Sequence, residues 1–264
     1  MIYLKTYFYT EHEIKFLKLN ILESFDFIDK FIICEFNRTH TGEPRDFIFE
    51  KYKHIFTEKE LSKITYLPCD ISNESVYAKN DEDLIHAVNE PLMRGFFVKL
   101  LNFNDDDIII SIDADEIIYG HMYEKIINNV KNHGTTLLKM RQFYYKMTYH
   151  WYTNDFIAPV AIRYSEFKYT YPCQLRYMGK LLDEYIGCHF SWCMTPEEMI
   201  YKLETYSHPK YRFCADLNLL NDAIHNKKYP FDSSVNFKIN EISIDDQMLP
   251  KNLDQILCLN HTKL

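Results

Sequence analysis

The sequence predicts an α/β protein built on a mainly parallel central sheet. Short apolar segments typical of buried strands lie at 2–9, 31–36, 64–69 and 107–113, and helical patterns separate them. A strand–helix repeat of this kind is typical of a parallel sheet covered by helices. The length of 264 residues, without repeats or linker-like tracts, favours a single domain over 1–264.

Start signals support the helices of this pattern. Thr10 and Glu13 form a capping box before apolar residues at helical spacing that continue to Phe25. A second helix is predicted near 46–56, and a third over 90–101 with Pro91 in its first turn. The polar segments 37–45 and 72–84 are predicted as loops, the second of them over a site.

The second half of the chain alternates less regularly. Strands are predicted over 135–152 and 158–164. A helix is predicted over 195–208, where Thr195 and Glu198 form a capping box, and a last helix over 216–226.

Composition excludes several classes of protein. The net charge of −8 argues against a general nucleic-acid binder, which needs a basic surface. The chain has 6 Gly and no Gly-rich phosphate-binding motif. Its 7 Cys form no C-x-x-C pair and are predicted to be reduced thiols. An early charged residue at the N-terminus argues against a signal peptide, and no apolar run reaches the ~18 residues of a membrane span. We therefore expect a cytoplasmic protein, in the host cytoplasm if the source is viral; the oligomeric state stays open.

Three carboxylates follow the fourth strand-like segment, in the stretch IIISIDADEII (108–118). Alternate residues of an extended chain point to the same side, so Asp113 and Asp115 can face one ion. The carboxyl ends of parallel strands are where such sheets bind ligands. One or two carboxylates suit Mg²⁺ or Mn²⁺, with phosphate oxygens and water as the other ligands. The sequence thus predicts a metal site; the alternative is a surface turn in which Asp113 only caps the following residues.

Four separated blocks of the chain are distinctive: FIDKFIICEFNRTHTGEPR (27–45), MRGFFVKLLNFNDDDIIISIDADEI (93–117), MRQFYYKMTYHW (140–151) and GCHFSWCMTPEEMIYKL (187–203), and DLN (216–218) follows at a fitting distance. In these blocks the chain resembles glycosyltransferase family 17. The order and spacing hold over nearly the whole chain. The chain departs from the family pattern at Cys188, where the family usually has Trp, and at Ile118, where it often has Pro.

The resemblance implies a GT-A fold and an inverting transfer from UDP-N-acetylglucosamine, or a related UDP-sugar, to a glycan hydroxyl. Residues 1–118 would form the nucleotide-binding half, and residues 119–264 the acceptor and catalytic half. Asp113 and Asp115 would hold Mn²⁺ or Mg²⁺. His189 would contact the metal, diphosphate or sugar, unless it is a core histidine.

The residues predicted to bind the nucleotide sugar are Glu35, Asn37, Thr39, Arg45, Arg94, Asp113 and Arg141. The first three follow the second strand and could hydrogen-bond uracil or ribose, or serve only the local turn. The arginines suit phosphate oxygens because a guanidinium group donates in a fork. Arg94 could instead pair with Glu90 one helical turn before it.

An inverting transfer needs a base that deprotonates the acceptor hydroxyl. Glu197, at the start of a helix, is the first candidate, although it could only complement the helix dipole. Asp216 is the second, with helix capping as its alternative. Trp192, Ser191 and Tyr144 are predicted to contact the sugar or acceptor, with core packing as the alternative for Trp192.

Two other functions remain open from the sequence. A metal-dependent phosphohydrolase or nucleotidyltransferase could use the same carboxylates, but would need further acidic ligands at the metal. A non-catalytic sugar-binding module could share the fold. His208 could be a further metal ligand, although a cation at a helix C-terminus is the favoured interpretation.

Overall fold

The structure, a computed structural model, describes residues 1–74 and 81–257. The middle of the predicted loop at 72–84 lies outside the described residues. Within them, helices and a nine-stranded mixed sheet alternate, and the predicted α/β class is confirmed. One sheet combines strands from both predicted halves of the chain.

The sheet has the strand order β3-β2-β1-β4-β7-β6-β8-β5, and β9 pairs with β7. Pairing is parallel among β3, β2, β1 and β4 and between β6 and β8, and antiparallel between the other neighbours. The strands are β1 (Ile2–Phe8), β2 (Lys30–Phe36), β3 (Ile64–Cys69), β4 (Ile108–Ser111), β5 (Glu116–Ile118), β6 (Thr136–Phe143), β7 (Tyr149–Arg163), β8 (Lys180–His189) and β9 (Ile239–Glu241).

Ten α-helices lie within the described residues. They are α1 (Ile14–Ser24), α2 (Phe49–Tyr52), α3 (Glu58–Leu61), α4 (Glu82–Leu84), α5 (Glu90–Gly95), α6 (Tyr123–His133), α7 (Tyr164–Phe167), α8 (Pro196–Thr205), α9 (Leu217–His225) and α10 (Leu253–Leu257). A π-helical turn, Ile85–Asn89, joins α4 to α5. The 3₁₀ turns are Glu11–Glu13, Lys53–Ile55, Phe96–Lys99, Gly120–Met122, Gln174–Tyr177 and Pro209–Cys214.

The first half follows the sequence pattern because its strands are short, and three of them, β1, β2 and β4, are mostly buried. Every residue of β2 after Lys30 is buried, and β4 pairs with β1 in parallel, with Leu4 opposite Ile110. Apolar side chains cover both faces of this part of the sheet and form two core clusters. The carboxyl ends of β1 and β4 therefore lie side by side at one edge of the core.

The capping boxes predicted at Thr10 and Thr195 are confirmed. The Glu13 carboxylate accepts the backbone N–H of Thr10 at 3.0 Å, ahead of α1. Thr195 accepts the Glu198 N–H at 3.3 Å, and Glu198 accepts the Thr195 N–H at 2.7 Å. These bonds satisfy backbone donors that a helix start leaves free.

Several predicted boundaries are wrong. The strand predicted over 135–152 is two strands, β6 and β7, and Tyr145 between them has a φ of 68°. The strand predicted over 158–164 is the end of β7. The helix near 46–56 is α2 and a 3₁₀ turn, and the helix over 90–101 ends at Gly95 and continues as a 3₁₀ turn.

The described residues contain no helix that combines the length and apolarity needed to cross a membrane.

Candidate active site

A cavity of about 800 Å³ opens at the carboxyl ends of β1 and β4. Tyr9 and Thr10, which follow β1, and the Asp113–Asp115 segment, which follows β4, form one wall. Phe156 of the antiparallel neighbour β7 and Lys202 of α8 line it as well. The cavity is therefore at the sheet edge where an α/β fold binds its ligands.

The two aspartates of the DADE segment lie in a turn, and the expectation that they extend the strand is wrong. β4 ends at Ser111, and the Glu116 N–H donates to the Asp113 carbonyl at 3.1 Å. The Glu116 carboxylate accepts the Asp113 N–H at 2.7 Å and closes the turn from the other side. The turn separates the surroundings of Asp113 from those of Asp115.

Asp113 is held by two arginines. Arg94 donates to both of its carboxylate oxygens, at 2.7 and 3.2 Å, and Arg176 donates to Oδ2 at 2.9 Å. Burial opposes the charged form, but Arg176 and Arg94 outweigh it and hold the pKa of Asp113 well below its usual range. Glu90 accepts from Arg94 Nε at 2.9 Å, so the pairing of Arg94 with Glu90 coexists with the predicted site role.

Glu116 is fully buried and shares Arg176 with Asp113. Burial and the charge of Asp113 raise the pKa of Glu116 to about 8, despite the opposing effect of Arg176. The buried pair therefore favours one charged and one protonated carboxyl group at neutral pH, as close carboxylates do elsewhere.

Asp115 has looser partners and faces the cavity. Lys202 Nζ lies 3.5 Å from its Oδ2, and His189 Nε2 lies 3.8 Å from its Oδ1. Burial lowers the pKa of His189 to about 4, although Asp115 opposes the shift, so the imidazole is neutral at pH 7. His189 Nδ1 is buried without a hydrogen-bond partner, and the ring packs on Phe156 at 3.8 Å between centroids.

The residues present fit a divalent ion in part. Asp115 and the neutral His189 offer ligand atoms to the cavity, whereas both oxygens of Asp113 are engaged by arginine. Asp113, Asp115 and His189 do not form a group with all ligand atoms within 4.8 Å of one another. Asp115 and His189 would hold a metal directly, and Asp113 would need to release an arginine or act through water.

Trp192, Ser191 and Tyr144 all line the cavity, as required for sugar or acceptor contact. Trp192 has a φ of 60°, an uncommon conformation for a non-glycine residue. Its ring packs against Tyr206 and Phe231, while Lys202 Nζ lies 5.2 Å from the ring centroid. In the hydrophobic cluster around Trp192, the aromatic side chains that line the cavity come from β7 and from the segments that follow β6, β8, α8 and α9; they are Tyr144, Trp151, Trp192, Tyr206 and Tyr229.

Four of the predicted donor-binding residues lie outside the cavity lining: Glu35, Asn37, Thr39 and Arg45. Glu35 accepts from Arg45 at 2.9 Å, from Tyr66 at 2.8 Å and from two backbone N–H groups, which saturates its carboxylate. The Asn37 side chain bonds residues at the end of β3, and Thr39 bonds Thr41 and Glu43 within its own loop. Turn and loop chemistry accounts for these contacts.

Arg141 also lies outside the cavity lining. It donates to the Tyr119 hydroxyl at 3.3 Å and stacks on Tyr185, while its neighbour Gln142 lines the cavity. Successive side chains of β6 point to opposite faces of the sheet, so only one of the two neighbours can reach the site.

Neither predicted base lines the cavity. Glu197 is exposed on α8, and the cavity-lining Lys202 lies about 140° around the helix from it at 3.6 residues per turn. Asp216 caps α9 by accepting the Leu219 N–H at 2.9 Å, which is the alternative considered for it. Their predicted catalytic role therefore has no support in the position of either side chain.

Six acidic, basic or histidine residues line the cavity without having been predicted there from the sequence: Glu13, His40, His86, Glu90, Arg176 and Lys202. Arg176 lies on a 3₁₀ turn in a segment without a periodic pattern. The capping box marks Glu13 as part of a helix start, but no local pattern in the sequence places it at the cavity. The i+4 spacing of His86 from Glu82 in a helical segment was the one available signal.

The burial of His12 predicts that the stability of the protein depends on pH. It is buried, and its Nε2 has no hydrogen-bond partner. Burial, helped by Lys202 and Lys15, lowers the pKa of His12 well below its usual value. Because the folded pKa lies below the unfolded value, the unfolded state takes up the extra proton, and stability falls as the pH falls below about 6.5.

From pH 7.5 to pH 5.5 the free energy of unfolding should fall in the wild type and fall less in His12→Gln. We expect the two decreases to differ by about 1 kcal/mol. Urea unfolding at the two pH values measures the difference. His225→Gln, at an exposed site on α9, is the control and should keep the wild-type dependence. Equal pH dependence in all three proteins would contradict the burial of a neutral His12.

Comparison with known proteins gives the relationship of the chain. The model of glycosyltransferase family 17 matches residues 6–226. The human β-1,4-mannosyl-glycoprotein 4-β-N-acetylglucosaminyltransferase is 22% identical over 73% of this chain and 41% of its own length, and the rat enzyme is 23% identical over 73% and 40%. The chain thus spans about two fifths of the length of these curated relatives.

Among solved structures, an S. aureus TarS fragment superposes with a TM-score of 0.41 at 10% identity, over 82% of this chain and 70% of that one. The family match extends over most of the chain, from β1 through α9, and includes the DADE turn and both arginines that hold it. The chain belongs to glycosyltransferase family 17.

Proposed function

We propose that the protein is a metal-dependent, inverting glycosyltransferase with a GT-A fold. It transfers N-acetylglucosamine from UDP-N-acetylglucosamine to a glycan hydroxyl. Family membership and the names of the curated relatives support the donor and the reaction. The observation that carries the proposal is the cavity itself, where the DADE turn meets three cationic side chains and an aromatic wall.

The cationic side of the cavity suits a nucleotide diphosphate. Arg94, Arg176 and Lys202 line it, and each is held in place by a carboxylate of the DADE turn. Guanidinium groups suit phosphate oxygens, and fixed charges need no rearrangement when charge grows on the leaving diphosphate. A divalent ion at Asp115 and His189 would neutralise part of the same charge.

The aromatic side suits a sugar. Trp192, Tyr144 and Tyr229 line the cavity next to the polar Ser191. An aromatic face packs against the apolar face of a sugar ring, while hydroxyl groups around it provide hydrogen bonds. The acceptor glycan or the transferred sugar would occupy this part.

Glu13 is the carboxylate in the cavity that best suits the base. Within residues 1–74 and 81–257, no basic side chain forms an ion pair with it, whereas Glu90, Asp113 and Asp115 each pair with two basic or histidine side chains. Burial and the charge of Asp115 raise the pKa of Glu13, against the effect of Lys202. A raised pKa brings a carboxylate closer to the range in which it exchanges protons at neutral pH.

Glu13→Gln keeps the acceptor oxygen for the capping bonds of Tyr9 and Thr10. We expect it to lower kcat roughly 100-fold while the dissociation constant of UDP stays within a few-fold of wild type. Calorimetric titration with UDP and a transfer assay separate the two quantities. Unchanged kcat would remove Glu13 from the mechanism and leave the proposed reaction intact.

Asp115→Asn tests the proposed function. We expect UDP release from UDP-N-acetylglucosamine, measured with Mn²⁺ and a mixture of glycan acceptors, to fall roughly 100-fold or more, since the variant loses the charged carboxylate that would hold a divalent ion beside the diphosphate. Asp105→Asn, an exposed carboxylate paired with Lys168, is the matched control and should keep wild-type activity.

The assay also separates the two other candidate functions. Release of UMP or inorganic phosphate instead of UDP would indicate a phosphohydrolase or nucleotidyltransferase. Donor binding without turnover, for every acceptor tested, would favour a sugar-binding module.

A further inference from the structure

A second cluster of metal-ligating side chains lies on the cavity wall, apart from the DADE turn. Glu82 and His86 are one helical turn apart, at α4 and the π-helical turn, and His208 precedes the 3₁₀ turn Pro209–Cys214. In the described part of the chain, these three residues form the group whose ligand atoms all lie within 4.8 Å of one another. We propose that Glu82, His86 and His208 bind a transition-metal ion of the zinc class, separate from any ion at Asp115.

The distances suit such an ion. His86 Nε2 lies 3.2 Å from His208 Nδ1 and 3.6 Å from Glu82 Oε1, and His208 Nδ1 lies 3.0 Å from Glu82 Oε1. Zinc–nitrogen and zinc–oxygen bonds of about 2.0–2.2 Å in a tetrahedron put ligand atoms roughly 3.3–3.5 Å apart. Small movements of partly exposed side chains would complete the geometry.

The surroundings orient His86 as a ligand. Its Nδ1 lies 2.8 Å from Glu90 Oε2, and Glu90 also accepts from Arg94 at 2.9 Å. A hydrogen bond from Nδ1–H to a carboxylate leaves the Nε2 lone pair directed at the cluster, as second-layer carboxylates do for metal-bound histidines. The site is linked in this way to Arg94, and through Arg94 to Asp113.

The ligand set selects the class of metal. Two imidazoles and one carboxylate favour Zn²⁺, Co²⁺ or Ni²⁺ over Mg²⁺ and Ca²⁺, which prefer oxygen ligands. Three protein ligands leave a fourth position, and His86 and His208 both line the cavity. That position would be open to water or to an oxyanion of a bound substrate.

Lys210 competes for the same carboxylate. Its Nζ lies 2.9 Å from Glu82 Oε1, and its side chain is 56% exposed, so it can move away when an ion binds. Removing Lys210 should therefore strengthen metal binding. If these residues form only hydrogen bonds and ion pairs with one another and no metal site, removing Lys210 will not strengthen Zn²⁺ binding. The Lys210 variant therefore distinguishes a metal site from such a network.

The test uses the untagged 264-residue protein, freed of metal with a chelator and titrated with Zn²⁺ against a chromophoric competitor. We expect His86→Ala and His208→Ala each to weaken the affinity of this site at least tenfold, Lys210→Met to strengthen it, and His225→Ala to leave it unchanged. Co²⁺ absorption in the visible range reports tetrahedral ligation directly.

The two proposed sites fail independently. Asp115→Asn should keep Zn²⁺ binding at Glu82, His86 and His208, since this inference does not rest on the transfer reaction. Zn²⁺ affinity that is equal in the wild type, His86→Ala and His208→Ala would overturn the inference. Far-UV circular dichroism checks that each variant is folded. If an alanine variant does not fold, Glu82→Gln provides a milder substitution at the same site.

Discussion

Arg176→Ala should lower the free energy of unfolding by about 3 kcal/mol and remove most of the affinity for UDP. Arg176 is the shared partner of Asp113, at 2.9 Å, and of the fully buried Glu116. Breaking a buried ion pair costs about 3–5 kcal/mol, because one charge stays buried without a partner. Asp113 keeps Arg94, and the raised pKa of Glu116 already favours its protonated form, so we expect a loss at the lower end.

Urea unfolding and calorimetric titration with UDP measure the two effects. Arg163→Ala is the matched control, since the Arg163 side chain donates to the exposed Lys131 carbonyl and its loss should cost about 1 kcal/mol or less. Arg176→Lys keeps a positive charge, but an ammonium group cannot bond both carboxylates as a guanidinium group does. Its loss of stability should therefore lie between those of Arg176→Ala and Arg163→Ala. Wild-type stability and UDP affinity in Arg176→Ala would mean that Arg176 does not hold the DADE turn.

Gly187→Ala should destabilise the protein by more than about 3 kcal/mol or prevent folding. Gly187 of β8 pairs with Ile118 of β5, and a Cβ built on it would lie 2.0 Å from the Ile117 carbonyl oxygen and 2.9 Å from the Ile117 carbonyl carbon. Both atoms belong to the backbone, so relief requires the two strands to separate. β5 follows the DADE turn directly, and its displacement would disturb Glu116.

Gly95→Ala is the comparison for this prediction. Its Cβ would meet Pro172 Cγ at 2.7 Å, a side-chain atom on a loop that can move, so the loss of stability should be smaller. Thermal unfolding followed by circular dichroism ranks the two variants. A Gly187→Ala protein with the wild-type midpoint would contradict the close packing of β8 on β5.

β1, β2 and β4 could be predicted because most of their residues are buried, which leaves a continuous apolar run in each strand. The residues 31–36 are all buried, and the strand at this position was predicted within one residue of its start. β7 and β8 mix exposed, half-buried and buried residues, because part of each strand extends beyond the core. Such strands lack the alternation that sequence reasoning detects, and β8 was not assigned.

The candidate site was predictable where its signal was local. The DADE motif and the segment His189–Trp192 are short, contiguous features, and both contribute side chains to the cavity lining. Arg176 reaches Asp113 across 63 residues of sequence, and Lys202 reaches Asp115 across 87. No local pattern marks such partners. The polar residues after β2 were wrongly predicted to bind the donor. A loop whose polar side chains hydrogen-bond within the loop has the same kind of sequence as a loop that hydrogen-bonds a ligand.

Thermal stabilisation by a panel of nucleotide sugars, with and without Mn²⁺, tests the central claim most directly, because it needs no acceptor. A ligand that binds the native but not the unfolded protein raises the unfolding midpoint. We predict a Mn²⁺-dependent rise with UDP-N-acetylglucosamine in the wild type and Asp105→Asn, and its loss in Asp115→Asn. No rise with any nucleotide sugar would contradict the assignment of this cavity as a donor site.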